Sequence, residues 1–255
     1  MKRIKTMILD FLFPPRCAIC GTVLDVTNKE RRLCPICKAD IPFIKPERCQ
    51  ICGRHITEDF VCQRCKTTDF AFTKGAASFP YAVMQTPIAN LKFHGYRHDA
   101  ENLSSLFYEY FYQNQPDWIT WADILTIVPL HENKQKQRGF NQVDLLCREL
   151  VEKTNMCYIP DLLQRIVDTV PQSSLQAEQR RENIRNVFVL QKNIDITEKH
   201  ILLVDDIFTT GSTLHECSKA LLRGGAAEVR VYCLAVVEHD VEKNVTNSYK
   251  NKRKS

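Results

Sequence analysis

Residues 201–213 read Ile-Leu-Leu-Val-Asp-Asp-Ile-Phe-Thr-Thr-Gly-Ser-Thr, and this stretch decides the fold. Four apolar residues lead directly to two adjacent carboxylates, Asp205 and Asp206, and a turn rich in hydroxyl groups follows. The apolar residues after the turn have helical spacing. The pattern predicts a buried parallel strand that carries both aspartates to its carboxyl end. It also predicts that the backbone N–H groups of the turn face an anion at a helix N-terminus.

The order of these groups indicates the kind of ligand. Two carboxylates beside a phosphate-binding turn would repel a nucleoside triphosphate on its own, whereas ribose 5-phosphate has a phosphate at one end and hydroxyl groups in the middle. The sequence has no Gly-x-x-x-x-Gly-Lys-Ser/Thr motif of a P-loop. The aspartates are adjacent and are therefore not spaced as in an aspartyl-phosphate hydrolase. An acidic turn that binds nothing would not need so many hydroxyl groups.

This stretch resembles the phosphoribosyl pyrophosphate (PRPP) signature of type I phosphoribosyltransferases. The resemblance implies that Asp205 and Asp206 hold the 2′- and 3′-hydroxyls of the ribose. It also implies a set of residues around the 5′-phosphate, namely Thr209, Thr210, Gly211, Ser212 and Thr213.

The cysteines indicate metal binding. Eight of the 12 cysteines form four Cys-x-x-Cys pairs, and residues 16–21 (Arg-Cys-Ala-Ile-Cys-Gly) recur as residues 48–53 (Arg-Cys-Gln-Ile-Cys-Gly). Two such pairs complete a tetrahedral zinc site with four thiolate ligands. We predict two structural Zn²⁺ sites paired in order along the chain, and an interleaved pairing is the alternative. The predicted ligands are Cys17, Cys20, Cys34 and Cys37 for one site and Cys49, Cys52, Cys62 and Cys65 for the other. Disulfides and redox catalysis fit four such pairs less well.

Composition and charge bound the function. The chain has 255 residues, 44% of them hydrophobic, and no apolar run approaches the roughly 18 residues that span a bilayer. Residues 1–13 predict a short docking helix rather than a signal peptide, so a cytoplasmic protein is expected. The net charge of +5 is uneven: residues 1–70 carry +5, residues 71–241 carry −4 and residues 242–255 carry +4. This argues against a nucleic-acid face over the whole body but not against a basic tail.

The rest of the chain alternates strands and helices, which predicts a doubly wound parallel sheet. Strands are predicted at residues 76–82, 124–128, 187–190, 201–204 and 229–237, and helices from residue 87, over 100–112 and over 143–153. A basic loop (129–142) follows the second strand, and a polar segment (168–185) is predicted to be a mobile lid. Three units are predicted: an N-terminal helix with a double four-cysteine zinc-binding module (1–70), an α/β phosphoribosyltransferase domain (71–241) and a basic disordered tail (242–255).

Together these motifs resemble the ComF family of competence-associated, phosphoribosyltransferase-like proteins. Besides the cysteine pairs and residues 204–213, the resemblance rests on Leu91-Lys92-Phe93 with Gly95, Val128-Pro129-Leu130-His131, Arg138-Gly139-Phe140-Asn141-Gln142, Gln172 with Leu175, and Arg181 with Asn186. It implies a role at the cytosolic face in DNA uptake during transformation, on single-stranded DNA or with a helicase-type partner of the competence machinery.

Two functions follow from this interpretation and stay open. The first is a Mg²⁺-dependent phosphoribosyltransferase, a glycosyltransferase, in which Arg138 and Lys92, with Lys134, meet the charge on departing pyrophosphate. His131 either contacts pyrophosphate or has a structural role. Purine-salvage enzymes have an aspartate where this chain has Thr209, which disfavours a purine acceptor. The second function is a non-catalytic PRPP sensor or adaptor that binds single-stranded DNA or a protein partner.

Overall fold

A computed structural model describes residues 14, 16–25, 33–40, 47–93, 97–167 and 187–238 of the chain. The predicted docking helix (1–13), the lid (168–185) and the basic tail (242–255) lie outside these ranges. The helices are α1 (Pro35–Asp40), α2 (Gln63–Lys66), α3 (Tyr81–Phe93), α4 (Arg97–Asn114), α5 (Asp117–Trp121), α6 (Glu132–Arg138), α7 (Gln142–Thr154) and α8 (Ser212–Arg223). The strands are β1 (Lys74–Pro80), β2 (Ile124–Ile127), β3 (Leu163–Arg165), β4 (Phe188–Leu190), β5 (His200–Phe208) and β6 (Glu228–Val236).

Four strands form one parallel sheet in the order β1-β6-β5-β2. The central strand β5 is apolar and fully buried from Ile201 to Val204, as expected for a parallel strand that is covered on both faces. On one face, Tyr232 of β6 packs against Phe107 and Phe111 of α4. The predicted parallel α/β sheet is therefore confirmed.

The structure refines several predicted elements. The predicted strand at 187–190 lies outside the main sheet, because β4 pairs antiparallel with β3, a strand that the sequence pattern did not indicate. The basic loop after β2 contains a short helix, α6. Pro87 lies inside α3 rather than at its start. Short elements of this kind have too few residues for a clear periodicity, so tertiary contacts decide them.

The cysteine repeat is also a structural repeat. Arg16 forms an isolated antiparallel β-bridge with Val23 in the first copy, and Arg48 forms the same kind of bridge with His55 in the second. Gly21 and Gly53 occupy the same left-handed turn position, each with φ +73. We call residues 16–37 the first ribbon and residues 47–66 the second ribbon.

The second ribbon packs against β1, which is the edge strand of the sheet. The amide of Gly75 in β1 donates to the carbonyl of Gln50 at 2.7 Å. Arg48 donates to the carbonyl of Ala77 at 2.8 Å and to the hydroxyl of Tyr110. A Cβ on Gly53 would lie 2.6 Å from the backbone nitrogen of Ala77, so only glycine allows this approach. The ribbon thus covers part of an edge that would otherwise present unpaired backbone groups.

Candidate functional site

The two aspartates lie where β2 ends and β5 continues. Pairing between β2 and β5 stops at Ile127 and Val204, whereas β5 stays paired with β6 as far as Phe208. The strand is therefore longer than the predicted 201–204, and both aspartates belong to it. Successive side chains of a strand point to opposite faces. Asp205 and Asp206 consequently meet different neighbours.

Asp206 lies in a buried polar network. Its Oδ2 is 2.6 Å from the ammonium of Lys92 in α3 and accepts a hydrogen bond from Nε2 of Gln142 at 3.0 Å. The Oε1 of Gln142 accepts in turn from Arg138 at 2.7 Å. The structure thus brings three predicted site residues together, Lys92, Arg138 and Asp206. Asp206 and Gln142 are both buried. A buried carboxylate needs a partner charge, and the ammonium of Lys92 supplies it for Asp206.

Asp205 lies on the other face of β5, close enough to Cys217 of α8 for its charge to act on that thiol. It is in register with Cys233 of β6, and its Oδ1 accepts from the amide of Asp206 at 2.8 Å. Burial, reinforced by the neighbouring charge of Asp206, raises the pKa of Asp205 from 3.8 to about 8. Lys92 and Arg165 offset part of this rise. A carboxyl group whose pKa lies this close to neutral pH is typical of a functional site.

The turn after β5 leads directly into α8. Gly211 has φ +77 and is the N-cap of the helix, and the hydroxyls of Thr210 and Ser212 lie 2.8 Å apart. The amide of Ser212 also donates to the hydroxyl of Thr210, at 3.3 Å. A Cβ on Gly211 would lie 2.7 Å from the rings of both Phe208 and Phe70. The predicted phosphate-binding residues therefore form a compact turn at the N-terminus of a 12-residue helix.

The predicted basic loop is largely helical. His131 is the N-cap of α6, and its Nδ1 accepts from the amide of Asn133 at 3.2 Å. This is a structural contact, and the alternative contact with pyrophosphate stays a prediction. Arg138 ends the helix and is followed by Gly139 in the left-handed conformation. Lys136 forms an exposed ion pair with Glu132. A cavity of about 550 Å³ opens beside this loop and is lined by residues that include His131, Gln164, Arg165 and Gln191.

The cysteines form two clusters that fit tetrahedral zinc. One contains Cys17, Cys20, Cys34 and Cys37 and the other Cys49, Cys52, Cys62 and Cys65, with all sulfurs of a cluster within 4.8 Å of one another. The Cys20 and Cys34 sulfurs are 3.7 Å apart, and those of Cys52 and Cys62 are 3.8 Å apart. Zn–S bonds of about 2.3 Å in tetrahedral geometry require sulfurs about 3.8 Å apart. The in-order pairing predicted from the repeat is therefore confirmed, and the interleaved alternative is wrong.

Comparison with known proteins gives matches in both parts of the chain. The double zinc ribbon domain family matches residues 8–66, and the phosphoribosyl transferase domain family matches residues 158–254. The DNA utilization protein YhgH of Escherichia coli (strain K12) is 31% identical over 219 residues, which span 85% of this chain and 89% of the relative. Competence protein F of Haemophilus influenzae is 40% identical over 110 residues, 42% of this chain and 48% of the relative. The chain belongs to the ComF family.

This ComF-family chain thus combines a double zinc ribbon with a phosphoribosyltransferase-like parallel sheet. Among solved structures, a hypoxanthine phosphoribosyltransferase from Staphylococcus aureus overlaps 54% of this chain and 64% of its own, with a TM-score of 0.37 and 13% identity. In the part of the chain that the structure describes, no helix is both long and apolar enough to cross a bilayer.

Three residues of the candidate site were not predicted as site residues. Gln142 bridges Arg138 and Asp206, and its place in the Arg-Gly-Phe-Asn-Gln string could have indicated it. Arg165 in β3 lies close enough to lower the pKa of Asp205, but nothing in its local sequence marks it. Arg54 of the second ribbon donates to the carbonyl of Thr209 at 2.6 Å, a contact between residues 155 positions apart.

Proposed function

We propose that this protein binds PRPP together with Mg²⁺ at the carboxyl end of β5 and acts as a phosphoribosyltransferase. The observation that carries the proposal is the convergence of Asp205, Asp206 and Lys92 beside the turn at the N-terminus of α8. These groups match the three parts of PRPP. The carboxylates would bind the ribose hydroxyls, the cation the pyrophosphate and the turn the 5′-phosphate. The phosphoribosyl transferase domain match to residues 158–254 supports the same assignment.

The contacts suggest how the site would respond to the ligand. The ammonium of Lys92 is paired with Asp206 in the described structure. When ribose hydroxyls donate to Asp206, they replace part of this interaction, and Lys92 becomes available for the pyrophosphate. Arg138, already fixed by Gln142, would meet the same charge. Stabilisation of charge that develops on a leaving group is a large contribution to catalysis.

Carboxylate oxygens such as those of Asp205 and Asp206 are ligands of the kind that Mg²⁺ prefers. Bound with PRPP, Mg²⁺ would supply charge neutralisation of the pyrophosphate. Thr209 stands at the position where purine-salvage enzymes have a basic aspartate, and its carbonyl is occupied by Arg54. We therefore propose an acceptor that needs no carboxylate base from this position.

The test is a calorimetric titration of PRPP with Mg²⁺ into the wild type and an Asp205→Asn/Asp206→Asn double variant. We expect saturable binding to the wild type and its loss in the variant. Asp117→Asn/Asp195→Asn is the matched control, because it removes the same charge from exposed positions outside β5. Pyrophosphate release in a screen of acceptors then tests turnover. Equal affinity of the wild type and the double variant would refute the assignment of the aspartates.

A second candidate, a non-catalytic adaptor that binds single-stranded DNA or a helicase-type partner, is favoured by the names of the relatives. These are a DNA utilization protein and a competence protein. Residues 242–255 carry five Lys or Arg residues and one Glu. If all five contacted phosphates, affinity for single-stranded DNA would fall about 100-fold between 50 and 200 mM salt.

Deletion of residues 242–255 tests this candidate directly. It should weaken DNA binding, measured by fluorescence anisotropy with an oligonucleotide, and leave PRPP affinity unchanged. A DNA affinity that does not depend on salt would contradict the electrostatic mechanism.

A further inference from the structure

The second ribbon holds the turn after β5 through Arg54. This buried side chain donates from Nη2 to the carbonyl of Thr209 at 2.6 Å and from Nε to the carbonyl of Val237 at 2.6 Å. Its third nitrogen, Nη1, is 3.7 Å from the sulfur of Cys52, a ligand of the second zinc cluster. One guanidinium therefore connects a metal-binding cysteine to the chain directly after β5 and directly after β6.

The contact with Thr209 fixes the orientation of a peptide plane. Thr209 begins the predicted phosphate-binding turn, and its carbonyl points to Arg54. In a trans peptide the C=O and the following N–H point in opposite directions, and no cis peptide bond occurs in the described part of the chain. The N–H of Thr210 is consequently directed away from Arg54. Backbone N–H groups are the donors that bind a phosphate at a helix N-terminus.

Residues 70–72, which follow the second ribbon, pack against the same turn from another side. Phe70 stacks on Phe72 with ring centroids 4.7 Å apart, and it contacts Phe208 edge to face. The amide of Ala71 donates to Nδ1 of His215 in the first turn of α8 at 3.0 Å. The narrow space at Gly211 is bounded by the rings of Phe70 and Phe208. The turn is thus enclosed between Arg54 and the segment that follows Cys65.

We propose that the second zinc ribbon keeps the turn Thr209–Thr213 in its phosphate-binding conformation, with Arg54 as the positioning residue. Metal binding at Cys49, Cys52, Cys62 and Cys65 and phosphate binding at the turn are therefore coupled, and by linkage the coupling is reciprocal. The identity of the phosphate ligand rests on the proposed function. The positioning itself does not, since it concerns the ligand-free protein.

Arg54→Lys is the first variant to test. Lysine keeps the positive charge beside Cys52 but lacks the planar fork that reaches two carbonyls. Arg48→Lys is the matched control, because Arg48 also joins the second ribbon to the sheet but contacts Ala77 and Tyr110 rather than the turn. Both variants are checked for zinc content before use.

Hydrogen exchange of the ligand-free protein gives a measurement that does not depend on PRPP. The amide of Val237 donates to the carbonyl of Phe208, and that of His215 to the carbonyl of Gly211. We expect faster exchange at these two amides in Arg54→Lys and no change in Arg48→Lys. Unchanged exchange in Arg54→Lys would overturn the proposal.

Calorimetry with PRPP and Mg²⁺ then measures the consequence for binding. A lost hydrogen bond to a charged group weakens an interaction by about tenfold or more. We expect an affinity loss of this size in Arg54→Lys and none in Arg48→Lys. If the wild type binds no PRPP, the proposed function fails, while the exchange result still decides the role of Arg54.

A second variant covers the case in which Arg54→Lys loses zinc or unfolds. Phe70→Leu changes the other side of the enclosure without touching the metal ligands or Arg54. It should speed exchange at His215 with zinc fully retained. If exchange at His215 is as slow in Phe70→Leu as in the wild type, the enclosure formed by Arg54 and the segment that follows Cys65 does not hold the turn, and the proposal is overturned.

Discussion

Replacing Asp205 by asparagine should stabilise the folded protein, and the gain should grow with pH. The pKa of this carboxyl group is raised from 3.8 to about 8 by burial and by the charge of Asp206. The folded state therefore binds a proton more tightly than the unfolded state. The stability that this proton contributes is complete below about pH 4 and is lost progressively as the pH rises to about 8.

The size of the effect follows from the same shift. One pKa unit corresponds to about 1.4 kcal/mol, so ionising Asp205 in the folded protein costs at most about 6 kcal/mol above pH 8. The side chain is partly exposed, and solvent screening reduces this cost. If screening halves this cost, we expect Asp205→Asn to raise the free energy of unfolding by about 3 kcal/mol at pH 8.5 and by about 1.5 kcal/mol at pH 5.

Urea denaturation of the wild type and the variant at several pH values between 5 and 8.5 measures this difference. Comparison at each pH removes the pH dependence of the zinc clusters, which is common to both proteins. Asp195→Asn is the control, since the pKa of this exposed carboxyl is lowered, mainly by its hydrogen bond with Thr197, and no gain is expected. A gain of equal size at every pH, or a loss of stability at pH 8.5, would refute the reasoning.

Three further predictions concern the metal, the turn and the core. Elemental analysis of the purified protein should give two zinc ions per chain, and a value of one would mean that one cluster does not bind zinc as assigned. Gly211→Ala should lower the free energy of unfolding by about 2–5 kcal/mol in urea denaturation, since left-handed strain adds to overpacking. Gly139 has the same left-handed backbone, but a Cβ there would meet no atom within 4 Å. If Gly139→Ala lowered the free energy of unfolding as much as Gly211→Ala, the packing argument would be contradicted. Leu203 is fully buried in β5, so Leu203→Ala should lower the free energy of unfolding by about 2–5 kcal/mol in the same assay. Leu222→Ala, at an exposed position, should lower it by less than about 1 kcal/mol. Equal losses in the two variants would contradict the assignment of Leu203 to the core.

Much of the site could be predicted from short stretches of sequence. Residues 201–213 carry a buried strand, two aspartates and a helix-starting turn in one continuous run, and the structure has these elements in this order. The Cys-x-x-Cys pairs and their repeat likewise predicted both metal clusters and their pairing. Such features depend on backbone periodicity, turn conformation and ligand spacing, which are local properties.

The partners of the site residues depended on the tertiary structure. Asp206 meets Lys92 and Gln142 because the helices that carry them, α3 and α7, both pack against α4 on the same face of the sheet. Arg54 reaches Thr209 because the second ribbon packs at the edge and end of the sheet. The strand order β1-β6-β5-β2 sets both contacts, and it is decided by the packing energy of the whole core. The sequence by itself determined which groups were available for chemistry, and only the tertiary structure decided which of them meet, because that depends on long-range packing and not on neighbours in the chain.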